Sequence, residues 1–455
     1  MKIQYVSICP TQESKEHGCL ELTPELLAAT GARYSRNNEG LDVISSKIDY
    51  SNLNKSVDGI FKMLDYGHAS IADMTPIALF IDGISQFAAY YLWTLSPTAG
   101  GQECSTRYIK LDPSGLVDVE DLGIPSQYVD KFNTFNRIAF ENYKTALHVW
   151  TKISDENPEL TKIPKSLLES TNPKDVKTVE RMKRNFAFDR ARCYLPLAAS
   201  TGVMMLQSAR AWANIAAHLQ SHSLRELNLI GKQIAEQMSI GAPRLMKHTK
   251  PTDTLKKYIQ FERDVILECC DIINLLGENE TLYYLDLEKL GYEESLLERS
   301  CSFRSNRYSP FGCAISRMSV KFAWEGISFG EIRDLNRHRT GNKYCPLYPL
   351  GFYGSTDQSD NPIIRSLYES FEPTTVQARE LFKECPEYIY FTALGHKYYF
   401  EHTTTADKFL YEMELRTGIG AHYKYAEHCR ETLKKWFEEY PETKGLIFEG
   451  SAEPE

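Results

Sequence analysis

At 455 residues the chain is too long for one ordinary hydrophobic core, and two domains are the expectation. A composition of 42% hydrophobic and 25% charged residues is that of a globular protein rather than a disordered one. A net charge of −9 gives no support for nonspecific binding to nucleic acid or to anionic membrane. No apolar run reaches membrane-spanning length, and the first residues, MKIQYVSICPTQESKEHG, lack a signal-peptide core. The 11 cysteines contain no C-x-x-C pair, and Cys269 and Cys270 are adjacent. That usage suits a reducing, cytoplasmic setting better than a disulfide framework or a zinc site, and no metal site is read.

Residues 1–50 read as a strand, KIQYVSIC, followed by a helix over TPELLAATGARYS. Thr23 supplies a capping side chain and Pro24 suits the first turn, while Ser35 closes the helix. Residues 55–73 read as a second helix that finishes at GHASIAD. Taken alone, His68 and Ser70 there are a locally satisfied histidine and a capping serine, although both can donate to an anion. Residues 74–84, MTPIALFIDGI, are β-prone, and 85–95, SQFAAYYLWTL, form an apolar helix. A Pro/Gly-rich loop over 96–101 is closed by Glu103-x-Ser105-x-Arg107-Tyr108. If that segment is extended, carboxylate, hydroxyl and guanidinium point one way and can hold the sugar and phosphate of a nucleotide.

Helices are expected around 126–151 and 173–190, with turns at Asn157-Pro158 and Asn172-Pro173. After ARCYLP, residues 191–196, a long helical stretch is expected over 202–238, and 254–300 also read as helical. The segment HTKPTD, residues 248–253, is taken as a boundary between units 1–250 and 251–455. The second unit repeats the first faintly: MSVKFAWEGIS at 318–328 parallels MTPIALFIDGIS at 74–85. Aligning Ser328 with Ser85 gives an offset of 243 (328 − 85), which carries Thr94 onto Arg337 without a gap. Residues 330–336 read as a short helix with Ile332 and Leu335 on one face and Arg333 one turn before Arg337. The triplet Arg337-His338-Arg339 then sits where the helix runs out into Thr340-Gly341-Asn342. An isolated triplet of this kind is a solvated helix end, favourable against the C-terminal dipole. Its mutual repulsion is relieved by an anion, and the arginine fork suits phosphate. A last helix over 405–415 leads into ELRTGIGAHYKY, residues 414–425.

The triplet resembles the front of the signature R-H-R-x-x-S-x-N-E-x-S-x-R-Y of the flavin-dependent thymidylate synthases, the thymidylate synthase-complementing family. Asn342 stands in place of its Ser, and the back half occurs elsewhere, at residues 103–108, behind Thr94-Leu95-Ser96. Four further segments resemble family motifs. Residues 32–35 resemble A-R-x-S, and GHASIAD resembles G-H-x-S-x-x-E-H, with Asp73 and Met74 in its last two places. ARCYLP resembles A-R-x-x-L-P, and residues 414–425 resemble E-L-R-[ST]-x-x-x-G-H-x-x-Y with one extra residue before His422. Arg210, Asn214, His222 and Glu226 fall near N-x-R-x-x-x-N and H-x-x-x-E, while His218-Leu219 replaces another family Arg.

The resemblance implies an α+β fold of two tandem units forming a pseudo-dimer, with one composite site between them and its mirror image abandoned. It implies methylation of dUMP to dTMP with methylenetetrahydrofolate, FAD and NADPH, without a cysteine nucleophile. The implied substrate contacts are Glu103, Ser105, Arg107, Arg192, Arg333, Asp334, Arg337 and Arg416, with Arg337 and Arg416 catalytic. The implied flavin contacts are Ser35, His68, Ser70, Glu103, Arg337, His338, Arg339 and His422. Arg416 at the O4/N3 edge would stabilise negative charge developing in the uracil ring. Reduced flavin would supply the hydride, a task no side chain performs. A homodimer of fused chains would match the family tetramer. Three departures bear on this expectation: Asp334 where the family usually has Gln, Asn342 for Ser, and Tyr411 for a flavin-facing Asn. They keep open a flavin- or nucleotide-binding pseudoenzyme, and an enzyme modifying C5 of another pyrimidine nucleotide.

Overall fold

The strand-to-helix junctions read at 74–95 and 318–336 are both present in the computed structural model. It describes residues 1–36, 40–62, 69–96, 98–106, 113–276, 282–287, 294–418 and 421–450. The chain forms two compact units that interleave along the sequence. The first comprises 1–109, 115–125 and 198–264; the second comprises 110–114, 126–197 and 265–455. Residues 126–197 thus pack with the C-terminal part of the chain, which the division at 250 does not anticipate.

The first unit is built on an antiparallel sheet of β1 (Lys2–Val6), β2 (Pro76–Ser85), β3 (Gly100–Glu103) and β4 (Ser200–Ser208), in the order β1-β2-β4-β3. One face of β2 is core, with Ile77, Leu79 and Ile81 fully buried. Strand β2 runs straight into the helix Gln86–Thr94 through Ser85, whose side chain accepts from the Ala88 N–H. The Ser85 N–H and hydroxyl both donate to the Glu226 carboxylate, at 2.7 Å each. A buried junction needs such a partner because its first helical N–H groups have none inside the helix.

The second unit has the same plan. Its antiparallel sheet contains β5 (Leu282–Leu287), β6 (Ser319–Ser328), β7 (Asn342–Tyr344), β8 (Gly351–Phe352) and β9 (His396–Thr405), in the order β5-β6-β9-β7, with β8 also on β9. Strand β6 runs into the helix Phe329–Leu335 through a capping box between Ser328 and Glu331. The other oxygen of Glu331 accepts from His428 Nδ1 at 2.6 Å. Both β2 and β6 lie at the offset of 243, from first residue (319 − 76) to last (328 − 85). Strands β4 and β9 end at Ser208 and Thr405, a second offset of 197 (405 − 208), and each is followed at once by a helix. Within the second unit, Pro196 bridges Ala393, its own counterpart at that offset (393 − 196). The Leu197 N–H donates to Thr392 O and the Leu394 N–H to Leu195 O, both at 2.9 Å. Each bond maps onto the other when the two segments are exchanged, so this pairing is locally two-fold.

The α+β class therefore holds, with four corrections of detail. Residues 200–208 are strand, not helix: TGVMMLQS is an apolar run whose length alone does not separate the two, and pairing with β2 and β3 decides it. Residues 282–287, LYYLDL, are likewise strand, paired with β6. Thr23 makes no side-chain capping bond. The helix read over 55–73 is present as Leu53–Phe61 and Ser70–Asp73, and residues 63–68, including His68, lie outside the described residues.

The loop carrying Arg337-His338-Arg339 is held to the sheet by close backbone approach. Gly341 has φ +67°, and a Cβ there would lie 2.1 Å from Thr403 O. Gly341→Ala should lower stability by at least about 1–3 kcal/mol, the cost of a left-handed backbone alone. Gly59→Ala, with nothing within 4 Å of its Cβ, should be neutral or stabilising. Urea unfolding of the two variants checks both.

Candidate functional site

The site of most interest lies in the second unit, where three chain segments deliver charge to one place. The helix Pro173–Ala191 ends in a turn that carries Arg192. The helix Phe329–Leu335 carries Arg333 and Asp334, and its C-terminal exit carries Arg337, His338 and Arg339. The helix Ala406–Arg416 ends on Arg416 itself. Each guanidinium thus stands at or just beyond a helix C-terminus, where the dipole favours a cation.

Asp334 is at the centre and is 9% exposed. Arg192 Nη2 lies 3.3 Å from its Oδ2, and Arg337 Nη1 lies 3.6 Å from its Oδ1. Arg416 Nη2 donates to the Asp334 backbone carbonyl at 3.4 Å. Burial opposes ionisation of this carboxyl, but the charges of Arg337, Arg192, Arg416 and Arg333 outweigh it and hold its pKa well below the carboxylate range. Arg192 also lies 3.8 Å from Asp189, one helical turn before it.

Arg416 is fixed from a second side. Its Nε donates to His338 Nε2 at 2.7 Å, and its guanidinium lies 5.4 Å from the Tyr425 ring. Burial pushes the His338 pKa down to about 3, so the imidazole is neutral and its Nε2 is free to accept. The proton of that tautomer is then on Nδ1. Behind it, His402 Nε2 donates to Thr340 O at 2.9 Å, and its Nδ1 lies 3.4 Å from the fully buried Glu412. Lys343 Nζ donates to the carbonyls of His338 and Thr340. The arginine-bearing loop is therefore clamped by backbone contacts before any ligand arrives.

A small pocket adjoins Arg192, lined by Asp189, Arg192, Cys193, Ser328, Gly330, Tyr353, Leu394 and His422. His422 Nε2 donates to Asp189 O at 2.9 Å, and its buried Nδ1 has no hydrogen-bond partner among the described residues. Burial lowers its pKa to about 4. Glu414 of ELRT is taken up elsewhere, in a bidentate pair with Arg304 at 2.7 and 2.9 Å, both side chains fully buried.

The second unit thus brings together Arg192, Arg333, Asp334, Arg337, His338 and Arg416, with His422 beside them and Arg339 half-buried on the same loop. The first unit holds Ser35, Ser70, Glu103 and Ser105. Ser35 Oγ donates to Ala32 O at the helix end, and Ser70 is exposed. Glu103 ends β3, and Ser105 follows it half-buried. His68 and Arg107 lie outside the described residues. Asp73 and Arg210, each placed by resemblance alone, pair with one another at 2.8 Å. The roles of Asp189, His402, Glu412 and Tyr425 had escaped notice. For Asp189 alone there was a local signal, its helical i,i+3 spacing to Arg192. Among the described residues, no group of three or more His, Cys, Asp or Glu is arranged to hold a metal ion. No helix among them is long and apolar enough to cross a membrane.

In the first unit, the positions equivalent to this cluster are uncharged. At the offset of 243, Asp334 corresponds to Tyr91 and Arg337 to Thr94; at 197, Arg416 corresponds to Leu219. Tyr91 O–H meets His218 Nε2 at 2.8 Å, Thr94 Oγ1 donates to Tyr91 O, and Leu219 is fully buried.

The fold and the cluster define an α+β protein with arginines gathered about a buried aspartate. Residues 20–244 match the family described as thymidylate synthase complementing protein. A UPF0159 protein of Chlamydia pneumoniae is 23% identical over 444 residues, covering 86% of this chain and 80% of the relative. One from Chlamydia muridarum is 24% identical over 467 residues, covering 90% and 84%. Among solved structures, the UMP/dUMP methylase PolB from Streptomyces cacaoi bound with 5-Br dUMP has a TM-score of 0.34 and 15% identity, over 54% of this chain and 93% of that one.

His338, His396 and His422 are all buried neutral, with pKa values lowered by burial to about 3, 3 and 4. The unfolded chain binds their protons from about pH 6.5 downward while the folded chain does not, so stability falls as pH falls below that value. At pH 5 the loss should be about 2 kcal/mol per histidine, from 1.4 kcal/mol per pH unit. Urea unfolding at pH 7.5 and 5 should show it, and His338→Asn should remove one share.

Proposed function

We propose that the chain methylates C5 of a pyrimidine nucleoside monophosphate, with dUMP as the substrate, and that the arginine cluster around Asp334 is where the nucleotide binds. The observation that carries this reading is the set of guanidiniums on Arg192, Arg333, Arg337 and Arg416 gathered about one carboxylate, with Arg416 oriented by neutral His338. A nucleotide monophosphate is a dianion, and forked donors at fixed positions suit it better than flexible ammonium groups. The family match over residues 20–244 supports the reaction class.

In this reading Arg192 and Arg337 take the phosphate. Arg416, fixed by His338 and lying over Tyr425, faces the ring and steadies negative charge as C5 becomes nucleophilic. Because His338 is neutral, it accepts from Arg416 without adding a competing positive charge. The residues fit a flavin in part. Arg337 and Arg339, two positions apart on one loop and reaching solvent, would hold its phosphates, whereas the ring nitrogens His338 Nε2 and His422 Nε2 are bonded inside the protein. When bound, FAD reduced by NADPH would supply the hydride that completes a methyl group delivered by methylenetetrahydrofolate. The resemblance also suggests a homodimer. The two offsets support descent from a duplicated unit, and the uncharged equivalents Tyr91, Thr94 and Leu219 support one working cluster per chain.

Incubation of the purified chain with FAD, NADPH, methylenetetrahydrofolate and dUMP should yield dTMP, detected by mass spectrometry. Arg416→Ala and Arg192→Ala should each lower kcat/KM by on the order of 2–5 kcal/mol in transition-state stabilisation, since each leaves a charge partner unpaired. Thr94→Ala should leave turnover unchanged. Ser105→Ala asks whether the E-x-S-x-R segment contributes. Flavin binding without dTMP formation would favour the pseudoenzyme reading, and turnover of another pyrimidine nucleotide would redirect the substrate assignment.

A further inference from the structure

The small pocket beside Arg192 contains one acceptor that the protein itself does not satisfy. His422 is 6% exposed, and its Nε2–H donates to Asp189 O at 2.9 Å. Burial keeps the ring neutral, so Nδ1 carries a lone pair, and that atom has no hydrogen-bond partner among the described residues. A buried acceptor without a donor is costly, and a ligand or water that supplies the donor is favoured there.

The other polar groups of the lining are already engaged. Ser328 Oγ donates to Glu331 at 2.8 Å, Cys193 Sγ to Arg190 O at 3.3 Å, and Tyr353 O–H to Asp357 at 2.7 Å. The Gly330 N–H donates to Leu394 O at 2.9 Å. His422 Nδ1 is left to a visitor, with the Arg192 guanidinium and the Asp189 carboxylate, 3.8 Å apart, in the same lining. The cavity is about 10 Å³, the room of one water-sized group. Its occupant must be small and must donate to Nδ1. The Arg192 charge disfavours an ammonium so close by, which leaves a neutral hydroxyl.

Arg192 is also a group assigned above to the phosphate. In a nucleoside 5′-monophosphate the sugar hydroxyl nearest the phosphate along the covalent chain is the 3′-hydroxyl, and the 2′-hydroxyl is one carbon further. We propose that this pocket is a subsite for the sugar 3′-hydroxyl, and that His422 is a specificity-determining residue whose Nδ1 accepts that hydroxyl's hydrogen bond and so selects nucleotides in which it is free. The sugar is then held at two points, its phosphate on Arg192 and Arg337 and its hydroxyl on His422. This inference rests on the nucleotide reading and adds to it a group that the arginines do not recognise.

Calorimetric titration with three nucleotides tests it: dUMP, 2′,3′-dideoxyuridine 5′-monophosphate, which lacks the hydroxyl, and the 3′-fluoro analogue, which nearly keeps its size but cannot donate. The unaltered chain should favour dUMP over both by about fivefold or more, the worth of one neutral hydrogen bond. His422→Phe keeps a ring and removes the acceptor, and its preference for dUMP should fall below about twofold. His422→Leu serves the same comparison should the Phe variant fail to fold by circular dichroism. His422→Gln, which can both donate to Asp189 O and accept from the hydroxyl, should recover part of the preference. The readout is a ratio within one protein, so a purely structural role of His422 would weaken all three nucleotides alike and leave the ratio unchanged. That result in a folded variant would overturn the proposal, as would equal binding of the three nucleotides by the unaltered chain, which leaves the nucleotide reading in place. Binding of none of them by the unaltered chain would remove the nucleotide reading and this inference with it.

Discussion

One buried aspartate that takes two guanidiniums on its carboxylate and a third on its backbone carbonyl is the constraint on which the rest of the second unit depends. Without Asp334, Arg192, Arg333, Arg337 and Arg416 would repel one another in a partly desolvated place. With it, the turn after Pro173–Ala191 is tied to the helix that carries Asp334 by an ion pair at 3.3 Å, and the end of Ala406–Arg416 by a hydrogen bond to the Asp334 backbone carbonyl at 3.4 Å. Such a pair contributes little net stability, because desolvation offsets much of the attraction. Its consequence is positional: the arginines stand ready, and the site's free charge is set before a ligand arrives.

The junctions that deliver these residues solve one problem in two ways. A strand that turns directly into a buried helix leaves N–H groups in need of an acceptor. In the first unit Glu226, from a distant helix, takes both Ser85 donors. In the second unit Glu331 does so from within the same turn, and His428 then occupies its remaining oxygen. The sheet orders and the two constant offsets persist through this exchange of partners. Below the junction the units part: Tyr91 and Leu219 stand uncharged where Asp334 and Arg416 carry charge.

Much of the frame was legible in the chain. The junctions at 85 and 328 were readable because Ser precedes an apolar helix at an ungapped spacing of 243, and the RHR triplet because its charge demands an anion. Strands β4 and β5 were not readable: an apolar run without alternation looks the same as a helix until its pairing partners are known. The centre of the site was half legible. Asp334 stood out as a departure beside the triplet, one that kept another pyrimidine nucleotide open as substrate. Its bond to Arg192 spans 142 positions, and no local pattern announces it. The neutral state of His338 is also a tertiary fact, set by burial against Arg416 and Lys343.

The central claim is that this cluster is the nucleotide site. Calorimetric titration of dUMP into the unaltered chain and into Arg337→Ala tests it most directly. The account predicts one dUMP per chain in the first and affinity weakened by on the order of tenfold or more in the second, for loss of one charged partner of the phosphate. Two nucleotides per chain, no binding by the unaltered chain, or unchanged affinity in Arg337→Ala would contradict it.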